Sequence, residues 1–598
     1  MENKKQAIIL SGVAIVALLA LIIGATYAYF RASGNSGSNT DINVTTYTLD
    51  LLSFEMGSDI KINADQTSFA SGKGNATGST FAKAILTANN KTNTATKNYY
   101  MYLNISNNTF TYTQNENTPE LLLTITDVSG NAITSITGLT YKTVIDGKGT
   151  SVSGFDITTK SGLLTLFDNR EITASPTKTE EWNVTVTFVN YNVNQTGNAG
   201  KSFNAKLMIQ QEEYELTLAD ICAGKTLSDC VISQYTGTQG DNALYYHNST
   251  LTNGAGDNSY RYAGGDYVLT EAGKATGATM MIGYNNSVTT ALIDFYCNGT
   301  KQYVGYASSC STSHYYLIKG DTTQYQTYNE ALNASVEKGY LTKDNVKNFV
   351  CFGSDATTCP TENLYRIIGV FNNQVKLIKY DYAKSSLLGT DGDFSQEYTS
   401  NYFSGEQGES PSSNSLYYWN NAGTNTWSAS KLNTVNLNTN FTTNIGTAWA
   451  NKIATTTWKV GGGTYANLRD AVPKTAYQYE VGSSASTTTY DAKIGLMYVS
   501  DYYYSASPSA WTLVGYNSDY TKSYASAKGE NWLYGGGWDW TISRSSDYSN
   551  LAFFVFNRGY VLSNLVGHNY GVRPSFSLLS STTYVSGSGS MSDPVRIN

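Results

Sequence analysis

Charge is what this 598-residue sequence has least of. Asp, Glu, Lys and Arg make up 14% of it, against about 25% in an average soluble domain. Few candidates remain for long solvated helices, while the abundant Gly, Tyr, Thr, Ser and Asn favour strands and turns. The basic residues are also scattered, with no cluster beyond Lys4 and Lys5, and the net charge is −7. A surface that tracks phosphates has nothing to be built from, so nucleic acid is not expected as a partner. Histidine is scarcer still: only His247, His314 and His568 occur. With no Cys-x-x-Cys pair either, a structural zinc site lacks ligands and nucleophilic catalysis lacks a base. The runs Gly461 to Gly463 and Gly535 to Gly537 have no Lys-Ser/Thr behind them, so they read as turns and not as phosphate cradles. The expectation is no catalysis, no cofactor and no metal.

The first thirty residues are of another kind. Lys4 and Lys5 precede an apolar run from Ala7 to Gly24, then Ala25-Thr26-Tyr27-Ala28-Tyr29-Phe30 and a polar Ser/Gly/Asn stretch. Positive charge ahead of an apolar core is an export signal, and about 18 apolar residues also just span a membrane. Small Thr26 and Ala28 fit cleavage between Ala28 and Tyr29; a retained anchor, touching the membrane only through residues 7–30, is the alternative. A chain of this length exceeds the roughly 250 to 300 residues of a single core. The expected division is a signal or anchor with linker over 1–35, a β-sandwich over 36–212, a cysteine-containing connecting region with an insertion over 213–360, and an α+β domain over 361–598.

Strict alternation marks strands with one buried face. Trp182, Val184, Val186 and Phe188 alternate with polar residues, as do Phe203, Ala205, Leu207 and Ile209. Earlier runs are Tyr47-Leu49-Leu51, Tyr99-Met101-Leu103-Ile105 and Leu121-Leu123-Ile125, with Asn89 to Asn98 read as a loop. Several short strands with polar turns predict a sandwich. All six cysteines lie C-terminal to it: Cys222, Cys230, Cys297, Cys310, Cys351 and Cys359. Fifteen connectivities exist in principle; in an exported chain the simplest is three local disulfides, Cys222 to Cys230, Cys297 to Cys310 and Cys351 to Cys359.

Beyond the last cysteine, Leu364 to Phe371, the Asn372-Asn373 turn and Val375 to Lys379 predict a β-hairpin. Trp427 to Ser430 is expected to cap a helix carrying Leu432 and Val435, and Ile445, Trp449 and Ile453 to form the stripe of another. Strands are expected over Ile494 to Val499 and in a hairpin over Ala552 to Leu562.

Gly24 to Phe30 resembles the export signal of the camelysin/TasA group of biofilm fibre proteins, which a SipW-type signal peptidase processes. The likeness implies a Gram-positive surface or matrix protein with an antiparallel, jelly-roll-like sandwich. It would place the first strand at Thr46 to Leu52, a central hairpin at Thr80 to Ile105 and a terminal pair at Trp182 to Ile209. It further implies self-assembly by strand addition, with Tyr29 to Val44 as donor. The region from about 240 to 598 resembles an extracellular domain of Firmicutes surface proteins of unknown function. The likeness is carried by Leu244-Tyr245-Tyr246-His247, Gly256 to Tyr262, Phe349 to Asp355, Gly495 to Tyr498 and Tyr570 to Phe576. Against that order, Gly264 to Val346 reads as an insertion. More distantly, Trp538-Asp539-Trp540 with the Gly-x-Arg strand after it resembles the C-type-lectin-like superfold, although the calcium-site tripeptides Glu-Pro-Asn and Gln-Pro-Asp are missing.

The fold class expected is therefore mainly β, a sandwich followed by an α+β domain. The candidate ligand-binding residues are Trp532, Trp538, Asp539 and Trp540, since flat rings stack on sugars and carboxylates bind hydroxyls, with core packing as the competing role for the rings. The expected function is structural or display at the cell surface; the alternative is an adhesin for glycans or host surface ligands.

Overall fold

The computed structural model describes residues 50–64, 73–89, 92–214, 216–282, 289–302, 310, 313–343, 345–398 and 414–598. The signal segment, the Ala28–Tyr29 cleavage site and the donor segment Tyr29 to Val44 lie outside them. The protein is mainly β, with 38% of the described residues in strands and 18% in helices. It divides into two compact units, Met1–Glu215 and Leu216–Asn598.

In the first unit ten strands form two antiparallel sheets. They are β1 (Leu51–Met56), β2 (Ile60–Asn63), β3 (Ala76–Thr87), β4 (Ala95–Asn108), β5 (Leu121–Asp127), β6 (Tyr141–Ile145), β7 (Ser151–Asp156), β8 (Gly162–Ala174), β9 (Thr177–Phe188) and β10 (Ser202–Gln210). One sheet has the order β1-β3-β9-β5-β7-β6 and the other β2-β10-β4-β8. Trp182, Val184, Val186 and Phe188 of β9 and Phe203, Ala205, Leu207 and Ile209 of β10 are all buried in one shared core, as alternation requires of two sheets packed face to face. In that core the Tyr99 hydroxyl donates to Glu180 at 2.7 Å and accepts from Trp182 Nε1 at 2.9 Å, while Arg170 holds Glu180 and covers the Trp182 ring.

Four expectations fail in this unit. Thr80 to Ile105 is no hairpin, because β3 pairs with β1 and β9 and β4 with β10 and β8. Trp182 to Ile209 is no paired terminus either, since β9 and β10 lie in different sheets. Alternation tells which face is buried; it does not say which strand is the neighbour. In β1 it is Leu52 and Phe54 that pack on the core, and Leu51, expected on the inner face, is 63% exposed. β4 begins at Ala95, inside the expected loop, where Ala95 pairs with Ala174.

The second unit is organised by a seven-stranded sheet. Leu244–Tyr246, Tyr260–Tyr262, Leu364–Phe371, Gln374–Lys379, Ser575–Ser577 and Ile494–Gly495 follow one another, and Phe349–Cys351 also pairs with Leu364–Phe371. The expected hairpin is present, and its Asn372 and Asn373 both have positive φ, the type I′ geometry that matches strand twist. Leu551–Val555 and Val561–Leu565 likewise pair, with Asp539–Arg544 beside them. The division expected between 360 and 361 is not one of units: Phe349 to Cys351 is laddered to Leu364 to Arg366 across it, and Cys222 and Ile597 belong to one core. A smaller cluster within the unit is built from Ala278 to Leu341.

Local readings also shift. Leu432–Phe441 is a π-helix. The stripe Ile445, Trp449 and Ile453 does not sit on one helix, because Gly446 at φ +82° interrupts it and only Thr447–Ala450 is helical. The expected strand Ile494 to Val499 stops at Gly495, where a Cβ would come within 2.8 Å of the Trp458 ring, and Val499–Tyr504 is an α-helix. All three local disulfides form, at sequence separations of 8, 13 and 8.

Candidate functional site

The Trp532–Trp540 segment is separated by the fold into core and surface. Trp540 is fully buried and its Nε1 donates to the Tyr417 carbonyl at 2.9 Å. Trp532 is buried as well, with Nε1 donating to the Tyr262 carbonyl at 2.9 Å. Asp539 lies under the surface, gripped by Arg573, whose Nε is 2.5 Å from Oδ2. Burial pushes the Asp539 carboxyl up to about 6 against the pull of that guanidinium. Three of the four expected ligand-binding residues are thus framework. The reason is local: Asp539–Arg544 has sheet on one side and the Tyr570–Gly571 backbone on the other. Trp540 N donates to the Gly571 carbonyl, and Gly571 N to that of Trp538. A Cβ on Gly571 would sit 2.4 Å from the Tyr382 ring, so the close approach that seats Arg573 needs glycine.

Trp538 is the exception, 37% exposed. Its ring is parallel to Phe556 at 5.9 Å and 14°, and edge-on to Tyr570 at 5.3 Å. Phe556 in turn stacks on Tyr560 at 5.1 Å, and Tyr560 meets the Tyr516 edge at 5.3 Å. This is an aromatic ridge with a partly exposed ring at Trp538; its Phe556 is next in sequence to Asn557, whose Oδ1 is a buried acceptor without a hydrogen-bond partner. Such a ridge offers stacking and dispersion to the apolar face of a planar or cyclic ligand. Phe556 and Tyr560 were readable as hairpin residues flanking Asn557-Arg558-Gly559; nothing in their spacing tells that the turn returns them to Trp538.

The motif residues of this half make a second, buried constellation of cations on rings. Asp257 accepts from Ser259 and from Arg261, which lies 4.7 Å from the Phe371 ring and 5.1 Å from Tyr504. Burial raises and Arg261 lowers the Asp257 carboxyl, which settles at about 2. Arg366 forks onto both oxygens of Asp266 at 2.7 Å. Lys376 meets Asp501 at 2.5 Å. Glu480 accepts from Val499 N at 3.0 Å, Ser500 N at 2.8 Å and the Ser543 hydroxyl; burial pushes its carboxyl up to about 7. His247 is also buried. Its Nδ1 accepts from Ala255 N at 3.0 Å, and desolvation holds the ring well below the usual imidazole range, hence neutral. His314 and His568 lie elsewhere, against Phe295 and Tyr570. Among the described residues no three His, Cys, Asp or Glu side chains gather as a metal site, and no helix is long and apolar enough to cross a membrane.

No family model, no curated protein and no solved structure matches the chain.

Proposed function

We propose that this is an exported protein of the bacterial cell surface or extracellular matrix, in which a jelly-roll-like sandwich serves assembly and the C-terminal unit is displayed on it. The observation that carries the reading is β1. Among the described residues it is the edge strand of the six-stranded sheet, it exposes Leu51 (63%) and Met56 (45%), and it follows closely on residues 29–44. An open edge with apolar side chains is a template for a further strand. The resemblance of Gly24 to Phe30 to fibre-protein signals agrees with it, and three disulfides fit an oxidising, extracellular compartment. The test is deletion of Tyr29 to Val44 from the secreted protein, which abolishes high-mass assemblies and leaves both units folded. Normal assembly by the deletion variant would defeat the proposal in favour of a monomeric stalk. N-terminal sequencing of envelope protein distinguishes cleavage before Tyr29 from an anchor that keeps Met1.

A second reading, an adhesin for glycans or host ligands, draws on Trp538 and the ridge behind it. A glycan array with the secreted protein and with Trp538→Ala tests it: binding lost in the variant supports the reading, and no binding by the wild type removes it.

A further inference from the structure

Lys376 stands apart from the other lysines that pair with carboxylates. Its Nζ is 2.5 Å from Asp501 Oδ2, with side chains only 9% and 4% exposed. Among the described residues Asp501 is the only hydrogen-bond acceptor this amine has; the rest of its surroundings are the rings of Tyr498 at 4.7 Å, Trp458 at 5.3 Å and Phe371 at 5.8 Å. An ammonium carries three donors. With one acceptor and three ring faces, most of its hydration is uncompensated, and buried ion pairs seldom recover that loss. Compare Lys142, paired with Asp156 at 2.8 Å: its side chain is 24% exposed and Nζ also reaches the Glu116 carbonyl. Asp501, too, is held in place, since Oδ2 accepts from Tyr498 N at 2.9 Å. Two residues away in the same helix, Val499 N donates to Glu480, and Ser500 N does likewise. The buried Glu480 carboxyl is thus fixed at the N-terminus of the helix that carries Asp501.

We propose that Lys376 and Asp501 condense to an intramolecular amide, a covalent cross-link between the strand Gln374–Lys379 and the helix Val499–Tyr504. Proton transfer within the pair gives amine and carboxylic acid. Nζ then attacks Cγ, the Nζ–Cγ bond forms, the bond from Cγ to one oxygen breaks, and that oxygen leaves as water with the proton released by nitrogen. Oxidation states do not change, and no co-reactant enters. The dry aromatic cage favours the uncharged amide over two buried charges, and the fixed contact supplies the proximity that free amines and acids lack in water. The product also relieves the amine of its two unaccepted protons.

Peptide mapping of the full-length secreted protein by mass spectrometry, after reduction and alkylation, tests this. The expected map contains one branched peptide joining the Lys376 and Asp501 segments, lighter than their sum by one water, with trypsin blocked after Lys376. Lys376→Arg and Asp501→Ala remove it. Complete recovery of both segments as linear peptides from the wild type would overturn the proposal, whether or not those variants fold.

Discussion

The guanidinium of Arg366 lies 4.7 Å from the ring of Trp532 and donates to that residue's carbonyl at 3.4 Å. Trp532 is thereby both a lid on a buried cation and part of its hydrogen-bond shell. Replacing it by Ala opens a cavity and bares the charge, so Trp532→Ala and Trp540→Ala are each expected to lower stability by roughly 3–5 kcal/mol. Trp538→Ala is expected to change it little, because a ring more than a third exposed loses less on truncation. Denaturant unfolding of the three variants checks the order.

A pH dependence follows from Glu480. Its folded carboxyl titrates near 7 and the unfolded one near 4.5, so the folded state binds this proton more tightly. The stability it contributes is complete below about 4.5 and is lost as the pH rises through about 7. Asp539, raised to about 6, acts in the same direction. Asp257, near 2, stays charged throughout this window and adds no slope. The unfolding midpoint is expected to fall from mildly acidic to mildly alkaline pH, by on the order of 1–3 kcal/mol in stability, and Glu480→Gln to flatten the fall. A midpoint that rises with pH over this window would contradict the assignment.

In the sandwich, Tyr99→Phe deletes one hydroxyl that serves two partners. Trp182 Nε1 loses its acceptor and Glu180 loses a donor, while packing volume is kept. The expected loss is about 1–3 kcal/mol, the cost of leaving a buried donor unpaired, measured as a shift in denaturant midpoint.

Thiol titration of the native protein is expected to find no free cysteine among the six. Each local loop stabilises by roughly 3 kcal/mol on the chain-entropy account, so Cys351→Ser with Cys359→Ser should lower the unfolding midpoint accordingly. Non-reducing peptide maps that link Cys222 with Cys359 would contradict the pairing.

What the sequence displayed was set by local chemistry. Alternation at Trp182 to Phe188 and Phe203 to Ile209, the Asn372-Asn373 turn and the cysteine spacings each depend on a few adjacent residues, and each appears as read. Pairing partners did not show, because β3 and β4 carry the same alternation whether they face each other in one sheet or lie in two. The helix at Val499 was hidden for a related reason: its apolar and aromatic residues suit a strand equally well, and Glu480, nineteen residues earlier, caps it only after folding. Of the candidate site, Trp538 alone kept its surface place. Whether a tryptophan faces solvent or core is decided by segments as remote as Tyr262, Arg366 and Tyr417, which no window around residue 538 contains.

The shortness of the disulfide loops bears on how the C-terminal unit would respond to being pulled. Bridges at separations of 8, 13 and 8 withhold roughly a hundred ångströms of chain, while Leu216–Asn598 fully extended reaches more than a thousand. A Lys376–Asp501 amide would hold back roughly four hundred ångströms more; under tension from both ends the remaining length is free to pay out, and resistance falls to ladders such as Phe349 to Cys351 on Leu364 to Arg366. A protein built this way is an extensible tether with three small disulfide knots and, with the amide, one large one.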